Sequence, residues 1–209
     1  MKQKNIYIID FDSTFTQVEA LDELARISLN KHPDKEAIFK KIEDLTNLAM
    51  EGKLSFSESL AQRVKLLEAS EDHLKQLITR LKKKVSLSFS RNAAFFKKHA
   101  DQVLIVSGGF KEFITPVVSQ YHIKKENIYA NTFVTTDGRI IDYDHSNPLS
   151  EEGGKVKLMK LLNLEGDLYG KFQLLRIHFL TICHQQHMHI FHIFILKSSF
   201  MTDRKAILF

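Results

Sequence analysis

The sequence predicts an α/β protein in which a parallel sheet carries an inserted bundle of helices. Three short apolar runs have the length and composition of buried strands, and helical stretches separate them. Residues 16–84, between the first and second runs, have helical character throughout. Alternating strands and helices indicate a parallel α/β core, and the long insertion indicates a helical cap beside it.

The composition is that of a globular protein. With 209 residues, 44% of them hydrophobic, the chain can form one domain with an insertion or two small domains. The net charge of +5 is spread over helical faces without interleaved aromatic residues, so nucleic acid is not an expected partner. A single cysteine, Cys183, excludes an internal disulfide framework. No apolar signal segment is evident at the N-terminus, so we expect a cytoplasmic protein outside the membrane.

The first strand ends in acidic residues. Four apolar residues, Ile6–Ile9, run directly into Asp10, Asp12 and Thr14. Residues two apart point to the same side of a strand, so the two carboxylates should lie together at its carboxyl end. Such a pair is costly unless a cation or a shared proton relieves it, which favours metal-assisted phosphoryl chemistry. The alternative is an N-capping aspartate after an ordinary strand.

The insertion begins with a predicted helix. Residues 16–19 (Thr-Gln-Val-Glu) have the form of a capping box, which predicts a helix through about Asn30. Helical character then continues to about Lys84, with breaks at His32-Pro33 and Glu51-Gly52. These breaks predict three to four helices. A glutamate at position 19 is explained either by the capping box or by a role in a site.

A second capping box, Ser55 with Glu58, predicts another helix of the insertion. One narrow stripe of this helix carries Phe56, Leu60, Arg63 and Leu67. An unpaired guanidinium among apolar residues is costly. Arg63 therefore meets a carboxylate of the protein, extends its head to solvent, or binds an anionic ligand.

The second strand is predicted over Gln102–Ser107, with Gly108-Gly109 next and a helix from Phe110. Small residues at a strand-to-helix turn allow main-chain N–H groups to approach a phosphate, and the helix dipole favours negative charge there. Ser107 and Gly108 are therefore candidates for an anion cradle. A plain tight turn explains the same residues equally well.

The later elements complete the α/β pattern. Asn127–Asn131 is a predicted strand, and Phe133–Tyr143, with Asp137-Gly138 at its centre, is a predicted hairpin. Gly153-Gly154 then opens a helix from Lys155 to about residue 164. A lysine in the first turn opposes the helix dipole, which an anion in front of it would explain. An exposed lysine there would cost only about 0.3–1 kcal/mol.

The residues after 170 differ from the rest of the chain. No acidic residue lies between Asp167 and Asp203, and five of the ten histidines fall within 178–192. An out-of-frame or alternatively spliced C-terminus is the favoured interpretation. Metal binding by His184, His187, His189 and His192 is disfavoured because one helical face cannot hold all four. Membrane insertion of residues 179–196 is disfavoured by the histidines and glutamines in that run.

Taken together, these motifs resemble the haloacid dehalogenase-like (HAD) phosphatases. The resemblance is carried by Asp10-Phe-Asp-Ser-Thr14, Ser107-Gly-Gly109 and Lys155 after a glycine pair, and it covers residues 4 to about 170. Within the superfamily, Glu19 and residues 50–67 resemble the phosphoserine phosphatases. The resemblance implies a Rossmann-type core with a four-helix cap. It also implies hydrolysis of L-phosphoserine through a phosphoaspartyl intermediate, in serine biosynthesis, with Mg²⁺ as cofactor.

The resemblance implies specific roles for residues of the core. Asp10 would attack phosphorus as nucleophile and bind Mg²⁺. Asp12 would protonate the leaving oxygen and then activate the water, and its main-chain carbonyl would bind the metal. The phosphoryl oxygens would be held by Ser107, the Gly108 amide and Lys155.

In the cap, the resemblance implies the contacts that select the substrate. Arg63 would take the substrate carboxylate and Glu19 its ammonium group. Met50 and Phe56 would form an apolar wall. Closure of the cap would then exclude bulk water. A small molecule is the expected partner, and a homodimer is compatible with the resemblance.

One family motif is missing. A Gly-Asp-Gly-x-x-Asp/Asn loop should follow soon after Asp167, and the sequence contains none. Losing a ligating carboxylate should weaken Mg²⁺ binding. We therefore expect a core that is truncated or replaced at its C-terminal end. A catalytically impaired protein remains an alternative, as does an enzyme acting on another small phosphorylated amino acid.

These patterns predict three parts of the chain. Residues 1–15 and 85–170 would form an incomplete catalytic core, residues 16–84 the cap that selects the substrate, and residues 171–209 an atypical tail outside the family fold.

Overall fold

A computed structural model describes residues 6–162 and, by their backbone, the strands 172–177 and 193–198. The three predicted strands form the parallel part of a sheet: β1 (Ile6–Ile9), β2 (Val103–Phe110) and β3 (Ile128–Asn131). β1 lies beside β2, and β2 lies beside β3. The predicted α/β fold class is confirmed, and β1 directs Asp10 to the carboxyl edge of the sheet.

Four helices occupy residues 16–84, as the breaks in the sequence predict. They are α1 (Ala20–Ser28), α2 (Lys35–Met50), α3 (Phe56–Leu66) and α4 (Glu71–Lys83). The chain enters and leaves this bundle at one place. The N–H of Gln17 donates to the Lys84 carbonyl at 2.9 Å, and the N–H of Ser86 donates to the Phe15 carbonyl at 2.9 Å.

The two predicted capping boxes have different outcomes. Ser55 and Glu58 form the predicted box at the start of α3, with each side chain accepting from the other residue's N–H. The box predicted at residues 16–19 is wrong, because α1 begins only at Ala20. The hydroxyl of Thr16 instead donates to the carbonyls of Phe11 and Val18, so it stabilises the turn after β1.

Two helices were not predicted, and two followed their predictions. α5 (Leu87–Arg91) and α6 (Ala93–His99) are short helices that follow α4. α7 (Lys111–Val118) follows β2, and α8 (Gly154–Leu161) contains Lys155 in its first turn.

The predicted hairpin is confirmed as β4 (Phe133–Thr136) and β5 (Arg139–Tyr143). Asp137 and Gly138 both have positive φ, at 50° and 72°. A two-residue turn with both φ values positive matches the twist of a hairpin, which explains the Asp-Gly pair.

Phe15 lies at the centre of an aromatic cluster beneath the turn that follows β1. Its ring contacts Phe89 at 4.6 Å and Tyr121 at 5.2 Å between centroids, and Phe96 at 6.4 Å. Phe11, also fully buried, stacks on Phe15 at 5.9 Å. Burial of two aromatic rings on either side of Asp12 fixes the path of this turn.

Two further strands extend the sheet beyond β1. β6 (Phe172–Ile177) pairs antiparallel with β7 (Ile193–Ser198), and β7 pairs antiparallel with β1 from Ile6 opposite Leu196 to Ile9 opposite Ile193. The histidine-rich segment and most of the run considered for membrane insertion lie outside the described residues. Within the described ranges, no helix is long and apolar enough to cross a bilayer.

The glycine pair before Lys155 provides a test of this packing. An added Cβ at Gly154 would lie 2.0 Å from the main-chain oxygen of Pro148, whereas Gly153, with φ of 67°, has open space around it. We expect Gly154→Ala to destabilise the protein by about 3 kcal/mol, because main-chain atoms must move. Gly153→Ala should cost only about 1–2 kcal/mol, from its left-handed backbone. Urea unfolding measures both, and equal losses would contradict this packing.

Candidate active site

A cavity of about 450 Å³ lies between the carboxyl edge of the sheet and the helical insertion. All nine residues that the sequence singled out line it: Asp10, Asp12, Glu19, Met50, Phe56, Arg63, Ser107, Gly108 and Lys155. They come from the residues that follow β1, from three helices of the insertion or their borders, from β2 and from α8. The structure therefore brings together residues that are up to 145 positions apart in the chain.

Asp10 is the first polar residue after β1. One of its carboxylate oxygens accepts a hydrogen bond from its neighbour, the N–H of Phe11, at 2.8 Å. The other oxygen accepts from Nζ of Lys155 in an ion pair. The Asp10 side chain is 27% exposed, so this carboxylate is oriented by the protein and still open to the cavity.

Asp12 lies in an irregular turn, where its own φ and ψ are −68° and 136° and Ser13 is left-handed. Its Oδ1 accepts from the N–H of Ala20 at 2.8 Å, so it caps α1 from eight residues away. Burial raises the pKa of the Asp12 carboxyl well above its ordinary value, and the negative charges of Glu19 and Asp10 raise it further. Asp12 is not the N-cap residue of α1, which is Glu19, but it accepts from the first N–H of that helix and also lines the cavity.

The Ser107–Gly109 segment is a bulge within β2 rather than the predicted turn after it. β2 continues to Phe110, and α7 begins at Lys111. The hydroxyl oxygen of Ser107 accepts from the N–H of Gly109 at 2.9 Å, which leaves the hydroxyl proton to donate elsewhere. An added Cβ at Gly109 would lie 2.9 Å from Oδ2 of Asp12. Glycine thus allows the strand to approach the acidic turn closely.

The insertion contributes a wall that touches the core. An added Cβ at Gly108 would lie 2.7 Å from Cζ of Phe56, so the aromatic ring lies directly over this glycine. The N–H of Phe56, at the start of α3, donates to the Glu152 carboxylate at 3.4 Å. Met50 is 70% exposed at the end of α2. The cap and the core are therefore in contact at the mouth of the cavity.

Arg63 lies on the buried stripe of α3, as its spacing predicted, and is 7% exposed. Its Nη2 lies 3.5 Å from Oδ1 of Asp22 on α1. Its Nε is buried and has no hydrogen-bond partner among the described residues. The interpretation that a protein carboxylate meets Arg63 is confirmed, and the binding of an anionic ligand stays a prediction.

Asp22 is a residue that the sequence did not single out. Burial raises its pKa to about 6, with the negative charge of Glu19 acting in the same direction, while Arg63 acts against the shift. Asp22 follows Glu19 by three residues, so the α1 periodicity could have indicated that both face the same side.

Glu19 itself is held by a neighbour in the irregular turn. The hydroxyl of Ser13 donates to its carboxylate at 2.6 Å. Glu19, Asp12 and Asp10 together bring three carboxyl groups to one side of the cavity, and Arg63 and Lys155 are the cations that face them.

The oxygen atoms at this edge are suited to a hard cation. The Asp10 carboxylate and the main-chain carbonyl of Asp12 are the candidate ligands. Burial raises the pKa of Asp12, and the negative charges of Glu19 and Asp10 raise it further, so a cation at this edge would be favourable. Among the described residues, no three side chains of the ligating types form a metal-binding group. Mg²⁺ commonly binds through one or two carboxylates with water and substrate phosphate completing its shell, so these residues fit such an ion.

The chain is similar in sequence to known phosphatases. It is 29% identical to the phosphoserine phosphatase of Bos taurus over 154 residues, which are 73% of this chain and 65% of that protein. The chain therefore spans less than two thirds of the length of this curated relative. No protein-family model matches it.

Solved structures show the same fold. A phosphoserine phosphohydrolase-like protein from Francisella tularensis is 28% identical, with a TM-score of 0.64 over 78% of this chain and 74% of that one. Two structures of phosphoserine phosphatase are each 27% identical over 79% of this chain and 74% of theirs. One is a phospho-aspartyl intermediate analogue, with a TM-score of 0.61, and the other is a substrate-bound complex, with a TM-score of 0.62.

The raised pKa of Asp22 predicts a dependence of stability on pH. The folded state keeps this proton up to about pH 6, whereas the unfolded chain loses it near 3.8. Its contribution to stability is therefore complete below about pH 4 and is lost as the pH rises through 6. We expect Asp22→Asn to remove about 1–2 kcal/mol of this pH-dependent change in the free energy of unfolding, after allowance for solvent screening.

Urea unfolding at intervals from pH 4 to pH 7 measures this change. Asp44→Asn, at an exposed position on α2, serves as the matched control and should keep the wild-type slope. Parallel pH profiles for wild type and Asp22→Asn would show that Asp22 does not titrate as described.

Proposed function

We propose that this chain is a haloacid dehalogenase-like phosphatase that hydrolyses L-phosphoserine to L-serine and phosphate. The observation that carries the proposal is the meeting of two acidic residues, a phosphate cradle and a buried arginine in one cavity. Each group suits a different part of a phosphorylated amino acid. The relatives and the solved phosphoserine phosphatases support the same substrate.

We assign the nucleophile to Asp10. Its carboxylate is oriented by the N–H of Phe11 and opens to the cavity, so an oxygen can attack phosphorus. The bond from phosphorus to the serine oxygen then breaks as the phosphoaspartyl bond forms. The solved phospho-aspartyl analogue of phosphoserine phosphatase supports this route.

Asp12 is the proton donor and acceptor in this proposal. Its raised pKa keeps a proton available for the serine oxygen as it leaves. The carboxylate that results can take a proton from the water that attacks the phosphoaspartyl group. Inorganic phosphate is released, and both aspartates return to their starting states.

The phosphoryl oxygens fit the opposite side of the cavity. The Ser107 hydroxyl, the Gly108 N–H and the Lys155 ammonium group would donate to them and balance the charge that develops. Lys155 pairs with Asp10 in the structure, so its ammonium group is already beside the nucleophile. A bound phosphate would share this cation with Asp10.

The amino-acid part of the substrate fits the cap. Arg63 has a buried free donor for the substrate carboxylate, and Glu19 offers a carboxylate to the ammonium group. Phe56 and Met50 would cover the apolar part of the substrate. We also propose that residues 16–84 act as the cap and residues 1–15 and 85–170 as the core.

The family implies a divalent metal ion, and we propose Mg²⁺. The Asp10 carboxylate and the Asp12 carbonyl would hold it. A bound ion would supply positive charge that lowers the repulsion between Asp10 and the phosphoryl group. The third ligand of the family lies in the missing motif, so we expect weak binding of the metal.

A catalytically impaired product is less favoured, because the residues that carry the chemistry are together in one cavity. Action on another small phosphorylated amino acid is less favoured because the relatives are phosphoserine phosphatases. Serine biosynthesis, a cytoplasmic location and a homodimer remain predictions.

The nucleophile can be tested by replacing Asp10. We expect the full chain to release phosphate from L-phosphoserine with Mg²⁺, and Asp10→Asn to lower the rate by at least about 1,000-fold, because the amide is a poor nucleophile. Asp44→Asn, outside the cavity, should keep the wild-type rate. Release of phosphate by Asp10→Asn at the wild-type rate would refute the assignment of Asp10.

The substrate assignment can be tested at Arg63. We expect Arg63→Gln to raise KM for L-phosphoserine roughly 30-fold or more, because a buried charge-assisted contact is lost. KM for phosphoethanolamine, which lacks the carboxylate, should change less than about threefold. Arg80→Gln, at a half-exposed arginine paired with Glu23, is the matched control. An equal rise for both substrates would show that Arg63 does not bind the carboxylate.

A further inference from the structure

The pairing of β2 with β3 contains an irregularity at the phosphate cradle. Val106 lies opposite Tyr129, but the next paired residues are Phe110 and Asn131. Four steps along β2 thus correspond to two steps along β3, so the Ser107–Gly109 segment bulges out of the ladder. Residues in a bulge lose their regular main-chain partners, and a buried carbonyl without a partner is costly.

Asn131, the last residue of β3, supplies the missing partner. Its Nδ2 donates to the Gly108 carbonyl at 2.9 Å, in the middle of the bulge. Asn131 is fully buried. The sequence analysis did not single it out, because the contact depends on the pairing of two strands.

The same amide group reaches a second segment. Nδ2 of Asn131 also donates to the Leu149 carbonyl at 3.3 Å. Leu149 lies in the turn Pro148–Ser150, against which Gly154 at the start of α8 packs closely. Lys155 is the next residue of α8. One side chain therefore joins the bulge that carries Ser107 and Gly108 to the segment that places Lys155.

The orientation of this amide is determined by its surroundings. Both contacts are to carbonyl oxygens, so a flipped amide would place Oδ1 of Asn131 against two acceptors. An aspartate of the same shape would do the same with a negative charge. Oδ1 in the present orientation is buried and unpartnered within the part of the chain that the structure describes. The buried Oδ1 therefore costs free energy, and the contribution of Asn131 is the two hydrogen bonds that its Nδ2 donates.

We propose that Asn131 is a positioning residue of the phosphate site, which fixes the distance between the Ser107–Gly108 bulge and Lys155 so that both can bind one phosphoryl group. This inference rests on the proposed phosphatase function and deepens it. The three groups that would bind the phosphoryl oxygens come from two segments, the bulge of β2 and the start of α8, and Asn131 contacts the segments rather than the ligand. Small displacements of such groups weaken binding and catalysis strongly.

The test measures binding of inorganic phosphate by calorimetry to the full chain, with Mg²⁺ present, and phosphate release from L-phosphoserine. Asn131→Asp removes the donors at constant volume, and Asn131→Ser keeps a small polar group that cannot span both carbonyls. We expect the folded variants to bind phosphate roughly 10- to 100-fold more weakly and to have a lower kcat. The contacts of the cap with the substrate, which also contribute to KM, should change little.

Asn127→Ala is the matched control, because Nδ2 of Asn127 donates to the Ala100 carbonyl at 3.1 Å, on an element that does not line the cavity. It should lower the unfolding temperature and leave phosphate affinity unchanged. Wild-type phosphate affinity in folded Asn131→Ser would overturn the proposal. Failure of both Asn131 variants to fold, when Asn127→Ala folds, would make Asn131 a purely structural residue and would also overturn it. If the unaltered chain binds no phosphate, the proposed function fails and this inference fails with it.

Discussion

The site depends on holding carboxyl groups of like charge close together in a partly buried cavity. Asp10 and Asp12 lie at the end of a buried strand, and Glu19 adds a third carboxyl group. The aromatic rings of Phe11 and Phe15 are fully buried beneath this turn, so the chain cannot relax to separate the charges. Lys155 beside Asp10 relieves part of this repulsion, and burial together with the neighbouring negative charges raises the pKa of Asp12. A phosphoryl group and a divalent ion would meet charges that are already in place, which is the electrostatic preorganisation that phosphoryl transfer requires.

The rest of the structure arranges other segments around this turn. Asp12 caps α1, so the first helix of the insertion begins at the acidic group itself. α3 then places Phe56 over Gly108 and keeps Arg63 in the wall of the cavity. On the core side, Asn131 ties the bulge in β2 to the segment before α8. In the proposed function, the sheet would bind the phosphate of a small zwitterionic phosphate ester and the helices its amino-acid part.

Much of the site could be predicted from sequence, because its signals are local. An apolar run that ends at Asp10 indicated the carboxyl edge of the sheet, although Asp10 and Asp12 lie after the strand rather than on one side of it. A period of 3.6 placed Arg63 on the buried face of α3, and a positive charge that opposes the helix dipole indicated Lys155. The features of the site that were not predicted depend on tertiary structure. The bulge at Ser107–Gly109 follows from strand register, which one strand alone cannot reveal. The contacts of Asn131 exist only after the strands pair.

Errors in the predictions have the same origin. The helix predicted from residues 16–19 begins later because the hydroxyl of Thr16 donates to the carbonyls of Phe11 and Val18. Residues 16–19 have the sequence of a capping box, but the Thr16 hydroxyl forms other hydrogen bonds in the folded protein. α5 and α6 were missed because short helices rich in phenylalanine owe their stability to aromatic packing around Phe15 rather than to periodicity.

The neighbouring ends of the helical insertion also bear on how such a chain can change. Gln17 and Lys84 are joined by a main-chain hydrogen bond, as are Phe15 and Ser86. The two ends of the insertion therefore lie side by side, and the chain leaves the core and returns to it at the same place. Removing or replacing the insertion would require only a short connection between these two ends. Closing that connection would cost little entropy, and no strand of the sheet would be broken. Replacing this one insertion could therefore change which small molecule is bound and leave the residues of the sheet edge in place.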